Sequence, residues 1–299
     1  MSTPRGGEAA LGVDIGGTRI RVARIARSGS ILHRLVEPVM QERRAFVDQL
    51  VALLARLRTG SERAVGIGVP GRVDASRGAI VSAGYLDIAG LDLAAVVRRE
   101  LGLACRVEND ATMALVAEAA RRTDGAQGVI MMITVGTGIG GAVSVDGEPW
   151  YGGGFAGQFG HVCVSDDGPP CKCGRRGCVE TFSSGTALGR LMAEAGFARA
   201  MRAANLIAAA RGGDAVARQV LASWAEPMRR AIESLVAMAD PRLVLLGGGL
   251  GRQMTEALAA GQGASGWFAR PVAAATLGDD AGVIGAGLRA FACADRARA

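Results

Sequence analysis

A loop rich in glycine and proline, residues 161–180, carries the densest set of metal-binding side chains in the chain. It holds one of the two histidines, and three of the six cysteines follow the spacing Cys-x-Cys-x4-Cys. Imidazole and thiolate groups in this number suit tetrahedral Zn²⁺. The alternative, a reduced loop without metal, is less favoured because thiols this close together usually bind a metal or form a disulfide. The predicted ligands of a closed structural zinc site are His161, Cys171, Cys173 and Cys178.

The remaining cysteines and the apolar segments indicate the compartment. Cys105, Cys163 and Cys293 lie outside the predicted ligand set, which favours a reducing environment over a disulfide framework. Uninterrupted apolar stretches such as 129–135 are far shorter than the roughly 20 residues that cross a bilayer. Residues 1–12 lack the basic segment and hydrophobic core of a signal peptide. We therefore predict a cytoplasmic protein without a membrane partner.

The net charge of +6 does not by itself indicate a nucleic-acid partner. Basic residues are spread along the chain and alternate with acidic and apolar ones. Between residues 41 and 58, for example, arginines share a helical pattern with seven apolar positions, which is typical of the solvated side of an amphipathic helix. We predict small-molecule partners and no nucleic acid.

The order of predicted elements indicates an α/β fold. Residues 11–25 and 129–145 each read as a strand, a glycine turn and a second strand. This repetition favours a duplicated α/β architecture, and 299 residues suffice for two domains. The predicted domains are a smaller one over 1–115, completed by a C-terminal helix at 282–299, and a larger one over 116–281 with the zinc loop 161–180.

Three glycine-rich turns follow or connect predicted strands, at residues 16–18, 136–141 and 247–249. Glycine lets backbone N–H groups approach phosphate oxygens closely, and a threonine hydroxyl adds a further donor. Each turn alone is also compatible with an ordinary chain reversal, but the three together favour a nucleotide. The sequence has no Gly-x4-Gly-Lys-Ser/Thr segment, which excludes a P-loop.

Two aspartates near predicted strand ends are candidates for phosphoryl-transfer chemistry. Asp14 precedes the first glycine turn, where its carboxylate would bind Mg²⁺ or hydrogen-bond the backbone of the turn. Asp110 lies between a predicted strand and a predicted helix, so it is either a general base for a hydroxyl or the N-cap of that helix. The residues alone leave both pairs of alternatives open.

Together these segments resemble the ROK family of sugar kinases, which includes hexokinases and glucokinases, and of sugar-responsive repressors. Residues 14–18 look like its first phosphate motif, 136–141 like its second, and 108–110 like its catalytic segment. The similarity extends over residues 11–290 and implies an actin-like ATPase (ribonuclease-H-like) fold, with two α/β domains around a cleft. The zinc loop is its most specific part, with matches at Gly160, His161, Gly168, Cys171, Cys173, Gly174, Gly177, Cys178 and Glu180.

The resemblance implies an ATP:sugar phosphotransferase that uses ATP, Mg²⁺ and a structural Zn²⁺, and that forms a homodimer. Asp110 would be the base that deprotonates a sugar hydroxyl, usually O6. His161 would ligate zinc and also face the sugar. The implied sugar-binding residues are Gly71, Asn109, Gln158, His161 and Glu180. The implied nucleotide-binding residues are Asp14, Gly16, Gly17, Thr18, Gly136, Thr137, Gly138, Gly248 and Gly249.

Two positions depart from the family pattern. Glucokinases of the family commonly have glutamate where this chain has Gln158, so a charged acceptor is replaced by an amide that both accepts and donates. Upstream, Gly84-Tyr85-Leu86-Asp87-Ile88 stands where the family often has an Asn-Leu pair. Both changes concern the identity of the sugar more than phosphorylation itself.

Two classes of function follow from the resemblance. The first is a kinase acting on a hexose or an N-acylhexosamine such as glucose or N-acetylmannosamine. The second is a non-catalytic sugar-binding or regulatory protein. Repressors of the family carry an N-terminal winged helix, whereas the first phosphate motif begins here by residue 11. This position favours the kinase.

Overall fold

The computed structural model describes residues 8–74, 77–84, 86–122, 127–261, 263 and 266–296. Tyr85, which belongs to one of the two segments that depart from the family pattern, lies outside the described residues. The strands are β1 (Ala9–Ile15), β2 (Arg19–Ala26), β3 (Ile31–Pro38), β4 (Glu62–Val69), β5 (Arg72–Asp74), β6 (Ala79–Ser82), β7 (Ala104–Asn109), β8 (Val129–Val135), β9 (Ile139–Val145), β10 (Glu148–Pro149), β11 (Leu243–Gly247) and β12 (Val272–Ala274). The helices are α1 (Arg43–Leu57), α2 (Leu93–Leu101), α3 (Asp110–Ala120), α4 (Glu180–Ser183), α5 (Gly185–Glu194), α6 (Ala203–Arg211), α7 (Ala215–Ala239), α8 (Gly251–Ala260) and α9 (Ala281–Arg296), with 3₁₀ turns at Phe159–His161 and Gly278–Asp280.

The chain forms two compact units. The first comprises Met1–Ala126, Gly147–Ala156 and Asp279–Ala299, and the second comprises Gln127–Asp146 and Gly157–Gly278. The division into domains 1–115 and 116–281 stays a prediction, because compactness does not establish independent stability. Among the helices of the described ranges, none is long and apolar enough to cross a membrane.

The first unit is built on a sheet with the strand order β3-β2-β1-β4-β7. The predicted hairpin is confirmed: β1 and β2 pair antiparallel around the first glycine turn. Strands β4 and β7 run parallel to β1, so their carboxyl ends lie at one edge of the sheet. Leu11, Val13 and Ile15 of β1 are fully buried in the core of this unit.

Small residues allow α9 to lie directly on this sheet. A Cβ atom on Gly12 of β1 would stand 2.1 Å from the Val283 carbonyl oxygen of α9, and one on Gly66 of β4 would stand 1.9 Å from that of Ala286. Helix α3 approaches α9 just as closely, since a Cβ on Gly285 would stand 1.7 Å from the Met113 carbonyl oxygen. These contacts fix the first residues of α3 relative to the end of β1.

The second unit contains four strands in the order β9-β8-β11-β12. Strands β8 and β9 form the predicted second hairpin, and β11 runs parallel to both β8 and β12. Its core includes the fully buried Trp224 of α7, whose indole N–H donates to the Ser184 carbonyl oxygen at 3.0 Å. The two units together confirm the predicted mixed α/β class.

Candidate functional site

The carboxyl ends of the parallel strands β1, β4 and β7 bring four predicted site residues to one edge of the first sheet. Asp14 lies near the end of β1, Gly71 just after β4, and Asn109 and Asp110 at the junction of β7 and α3. Ligands of open α/β sheets typically bind outside this edge. The Asn109 side-chain amide donates to the Gly71 carbonyl oxygen at 2.8 Å, which ties the two loops together.

Asp110 is the first residue of α3, and Asn109 is the N-cap. The Asn109 side-chain oxygen accepts from the Ala111 backbone N–H at 2.9 Å. The Asp110 Oδ1 atom accepts from the same N–H at 2.8 Å, so the carboxylate shares this contact without being the cap. Burial raises the pKa of Asp110 to about 7, and the negative charge of Asp14 adds to the increase. A carboxylate with a pKa near neutrality suits a general base.

Asp14 is held by the strand opposite it in the hairpin. Arg21 is its antiparallel partner, and the Arg21 Nη1 atom lies 3.3 Å from the Asp14 Oδ2 atom. Burial raises the pKa of Asp14 to about 6 despite this arginine, and Asp279, which Arg21 also contacts at 2.8 Å, contributes to the rise. A Cβ on Gly282 would stand 2.6 Å from the Asp14 Oδ1 atom, so any other residue there would displace the carboxylate. The Asp14 carboxylate is thus held in place by Arg21.

The first glycine turn presents its tip to solvent. The Gly16 N–H donates to the Arg19 carbonyl oxygen at 2.8 Å, which closes the turn, and Gly17 and Thr18 are exposed. Two successive exposed residues at a hairpin tip leave backbone N–H and hydroxyl groups accessible to an anion.

The four predicted zinc ligands of the second unit lie together. Their candidate ligand atoms are all within 4.8 Å of one another. The Cys171 Sγ atom is 3.5 Å from His161 Nδ1, and the Cys173 and Cys178 Sγ atoms are 3.6 Å apart. Tetrahedral zinc with Zn–S bonds of about 2.3 Å separates neighbouring sulfurs by about 3.8 Å. The cluster therefore has the donor set and the spacing for Zn²⁺.

The glycines of the loop give this cluster its shape. Gly177 has a φ of +69°, and a Cβ there would stand 1.6 Å from the Ser165 carbonyl oxygen. The Arg175 guanidinium donates to the His161 carbonyl oxygen at 2.5 Å, and the Cys171 N–H donates to the Arg175 carbonyl oxygen at 2.8 Å. Hydrogen bonds within the loop thus fold its backbone around the four predicted ligands.

The second and third glycine turns lie in the same unit as the zinc loop. Gly136, Thr137 and Gly138 connect β8 to β9, and Gly248 and Gly249 connect β11 to α8. Gly248 has a φ of +76°, and a Cβ there would stand 2.6 Å from the Val135 carbonyl oxygen. The third turn therefore packs against the end of β8, where the second turn begins. The structure therefore brings these two turns together.

Gln158 and Glu180 both lie close to strand β9. The half-buried Gln158 precedes the 3₁₀ turn Phe159–His161, and no partner for its side-chain amide is found within the described part of the chain. The neighbouring Phe159 ring packs against Gly141, where a Cβ atom would stand 2.3 Å from the ring atom Cδ2. Glu180 begins α4, and its Oε2 atom accepts from the Ile139 N–H at 2.8 Å. Gln158 thus keeps an amide available to a ligand, whereas Glu180 is engaged within the protein.

A charged cluster in the first unit surrounds Glu108, and the sequence predicted none of its ion pairs. Glu108 is fully buried, and its Oε1 atom contacts the guanidinium groups of Arg106 and Arg289. Arg289 also reaches Glu148 at 3.1 Å and the Tyr151 hydroxyl at 3.3 Å. The Oε2 atom of Glu108 has no hydrogen-bond partner among the described residues. The cluster joins β7, α9 and the segment 147–156. It lies next to the predicted base in the chain, since Glu108 precedes Asp110 by two positions.

Glu108→Gln is expected to lower the free energy of unfolding by about 3–5 kcal/mol, because it leaves two guanidinium groups facing a neutral amide in a buried setting. Urea denaturation at pH 7 measures the change. The control is Glu37→Gln, which removes an exposed ion pair with Arg56 and is expected to cost less than about 1 kcal/mol. Equal effects of the two variants would show that the buried cluster is not a determinant of stability.

Comparisons with known proteins connect this geometry to a family. A family model described as ROK family matches residues 10–291. A glucokinase from Thermotoga maritima is 30% identical over 81% of this chain and 82% of its own length, and an N-acetylmannosamine kinase from Escherichia coli O1:K1 is 33% identical over 94% and 97%. The crystal structure of a ROK family glucokinase from Streptomyces griseus in complex with glucose and AMPPNP is 29% identical, with a TM-score of 0.79 and coverage of 95% of this chain and 99% of that one.

ROK sugar kinases have the actin-like ATPase fold, and the predicted fold class is thereby confirmed. Since the family model covers nearly all of the chain and the two curated relatives are at least 30% identical over most of it, the protein belongs to the ROK family.

Proposed function

We propose that this chain is an ATP-dependent sugar kinase that transfers the γ-phosphate to a hydroxyl, O6, of a hexose or an N-acylhexosamine. The observation that carries the proposal is the Asp110 carboxylate, which lies at the carboxyl edge of a parallel sheet near Asp14 and has a pKa raised to about 7. Relatives named glucokinase and N-acetylmannosamine kinase support the same reaction class.

In the proposed reaction Asp110 accepts the proton of the sugar hydroxyl as the oxygen attacks the γ-phosphorus. The new O–P bond forms while the bond from the γ-phosphorus to the β,γ-bridging oxygen breaks, and ADP leaves with that electron pair. Mg²⁺, when bound through Asp14, would neutralise charge on the phosphates. The backbone N–H groups of Gly16, Gly17 and Thr18 would contact the phosphates as well.

The remaining nucleotide and sugar contacts follow the family correspondence. Gly136, Thr137 and Gly138 would bind phosphate, and Gly248 and Gly249 would lie against the adenosine. Zn²⁺, when bound, would fix the loop conformation and the orientation of the His161 ring. The proposed sugar ligands are Gly71, Asn109, Gln158, His161 and Glu180.

A coupled assay of ADP release tests the proposal. The panel consists of glucose, mannose, fructose, N-acetylglucosamine and N-acetylmannosamine, each with ATP and Mg²⁺. At least one sugar is expected to raise ADP release well above the sugar-free rate. Sugar binding by calorimetry without ADP release from any sugar would instead identify a non-catalytic sugar-binding protein, the second class of function.

Gln158→Glu is expected to shift the ratio of kcat/KM values toward glucose by about tenfold over the best N-acylhexosamine. Glutamate is the residue common in glucokinases of the family, and a carboxylate accepts strongly from the hydroxyl that glucose has where an N-acylhexosamine carries an acylated amine. The half-buried position of Gln158 and its available amide support this role. Steady-state kinetics with both sugars measure the ratio. An unchanged ratio would remove Gln158 from the set of residues that select the sugar.

The proposal also includes a homodimer in the cytoplasm, which stays a prediction from the family resemblance. Sedimentation equilibrium at several protein concentrations gives the mass directly. A monomer at every concentration would contradict the dimer.

A further inference from the structure

Glu180 connects the zinc loop to the second glycine turn. It follows the last zinc ligand, Cys178, by two positions, and its side chain is 14% exposed. One carboxylate oxygen, Oε2, accepts from the Ile139 N–H at 2.8 Å. The other, Oε1, lies 3.3 Å from the Nζ atom of Lys172, which stands between Cys171 and Cys173 and is the only lysine of the chain. Each carboxylate oxygen therefore contacts a different segment.

The same short stretch of chain holds the turn at two further points. The Gly185 N–H donates to the Gly136 carbonyl oxygen at 2.7 Å, and the Thr186 hydroxyl donates to the Thr137 carbonyl oxygen at 2.9 Å. Together with the Glu180 hydrogen bond, these contacts all come from residues 180–186, which directly follow the last zinc ligand of the loop. The conformation of the turn thus depends on where that loop places the start of α4.

The turn is also shaped to admit the carboxylate. A Cβ atom on Gly138 would stand 2.6 Å from the Glu180 Oε2 atom, so any other side chain at this position would displace Glu180. Gly138 therefore has a second reason to be glycine, besides the access that it gives to phosphate. A bond between a carboxylate and a backbone N–H orients the peptide, which determines where the neighbouring N–H groups of the turn point.

We propose that Glu180 is a positioning residue for the nucleotide, through which the zinc loop controls the second glycine turn. Loss of zinc or of the Glu180 carboxylate then weakens nucleotide binding even when no sugar is present. The inference rests on the proposed function, in which this turn binds phosphate. It adds to the sugar contact expected of Glu180, because a carboxylate has about four acceptor sites.

The variants should differ in size of effect. Glu180→Ala removes a charge-assisted hydrogen bond and is expected to raise the dissociation constant of Mg·ADP by about tenfold to a hundredfold. Glu180→Gln keeps an oxygen that can accept from Ile139 and should lose less. Lys172→Met removes only an exposed partner and should cost about two- to fivefold, which Lys172→Arg should restore.

Calorimetry of Mg·ADP binding without sugar separates this role from sugar binding. The matched control is Arg176→Met, which removes a charge from the same loop outside the Glu180 contacts and should leave the dissociation constant within about twofold of wild type. An unchanged affinity in Glu180→Ala would overturn the inference while leaving the kinase proposal intact. Absence of Mg·ADP binding in the wild type would overturn both.

Zinc removal completes the test. A zinc-selective chelator is expected to weaken Mg·ADP binding by about tenfold in the wild type and by clearly less in Glu180→Ala, since the Glu180 part of the connection is already absent there. Metal analysis and circular dichroism verify zinc loss and retained folding. If removal of zinc unfolds the loop, the Lys172→Met and Lys172→Arg pair, measured with zinc bound, decides instead. Equal losses in wild type and Glu180→Ala, or no difference within the lysine pair, would overturn the coupling.

Discussion

Asp110→Asn is expected to lower kcat by at least about a thousandfold while the sugar dissociation constant stays within about twofold of wild type. The amide keeps the size of the carboxylate and an oxygen able to accept from Ala111, so the start of α3 is preserved. It loses the capacity to take a proton from the attacking hydroxyl. Steady-state kinetics and sugar calorimetry measure the two quantities separately.

The raised pKa also gives Asp110 a signature in pH profiles. Because the pKa is about 7, wild-type kcat/KM should fall tenfold for each pH unit below it, as the base becomes protonated. The folded state binds this proton more tightly than the unfolded state, where the pKa is 3.8. Asp110 therefore reduces stability increasingly as the pH rises from about 4 to about 7.

Removing that ionisation should stabilise the protein at alkaline pH. Without Mg²⁺ at pH 8, the free energy of unfolding of Asp110→Asn is expected to be about 1–3 kcal/mol higher than that of wild type. The difference should disappear near pH 4. The control is Asp92→Asn, which changes another carboxylate at a helix N-terminus, one that accepts from the Ala95 N–H at 2.8 Å. Wild-type activity in Asp110→Asn would remove Asp110 from the role of base, whereas equal stability at both pH values would show that its pKa is not raised.

Local patterns explain which parts of the fold and site are predictable. Both hairpins show strand alternation on either side of a glycine turn, so their pairing follows from residues close together in the chain. The zinc ligands are equally local, and their chemistry is specific enough to predict the cluster. The predicted roles of Asp110 as base and of Gln158 as a sugar ligand rest on the family resemblance and stay predictions.

Contacts between distant residues were not predictable in this way. Arg289 meets Glu108 across 181 positions, and Arg21 meets Asp279 across 258. Arginine is the commonest charged side chain of this sequence, so no pattern distinguishes these two from the solvated ones. Both contacts depend on the packing of α9 on the first sheet, because Arg289 lies on α9 and Asp279 just before it. That packing needs close approaches at Gly12 and Gly66, which a single sequence does not reveal.

Cys173→Ser is expected to lose bound zinc and, with it, at least about tenfold in sugar affinity. A serine hydroxyl is a poor zinc ligand, and changes even outside the ligand set typically cost about 10–100-fold in metal affinity, so loss of a ligand should cost more. The His161 Nδ1 atom is 3.5 Å from Cys171 Sγ, so zinc bound by both residues would orient this ring. Without zinc the ring would lose this restraint, and a hydroxyl contact made by its other edge would cost more conformational entropy.

The chain offers a matched control in the same loop. Cys163 is exposed, and its Sγ atom lies near the Ser165 and Arg176 carbonyl oxygens, at 3.4 and 3.6 Å, outside the four-residue cluster. A serine hydroxyl can donate to the same oxygens, so Cys163→Ser should keep one equivalent of zinc and wild-type sugar affinity.

Metal analysis and sugar calorimetry compare the two variants. Zinc retained at one equivalent in Cys173→Ser would contradict the ligand assignment, whereas zinc loss with unchanged sugar affinity would restrict the metal to a role in the fold. Joint loss of zinc and sugar affinity in Cys173→Ser alone is the result expected if the metal orders the sugar ligand His161.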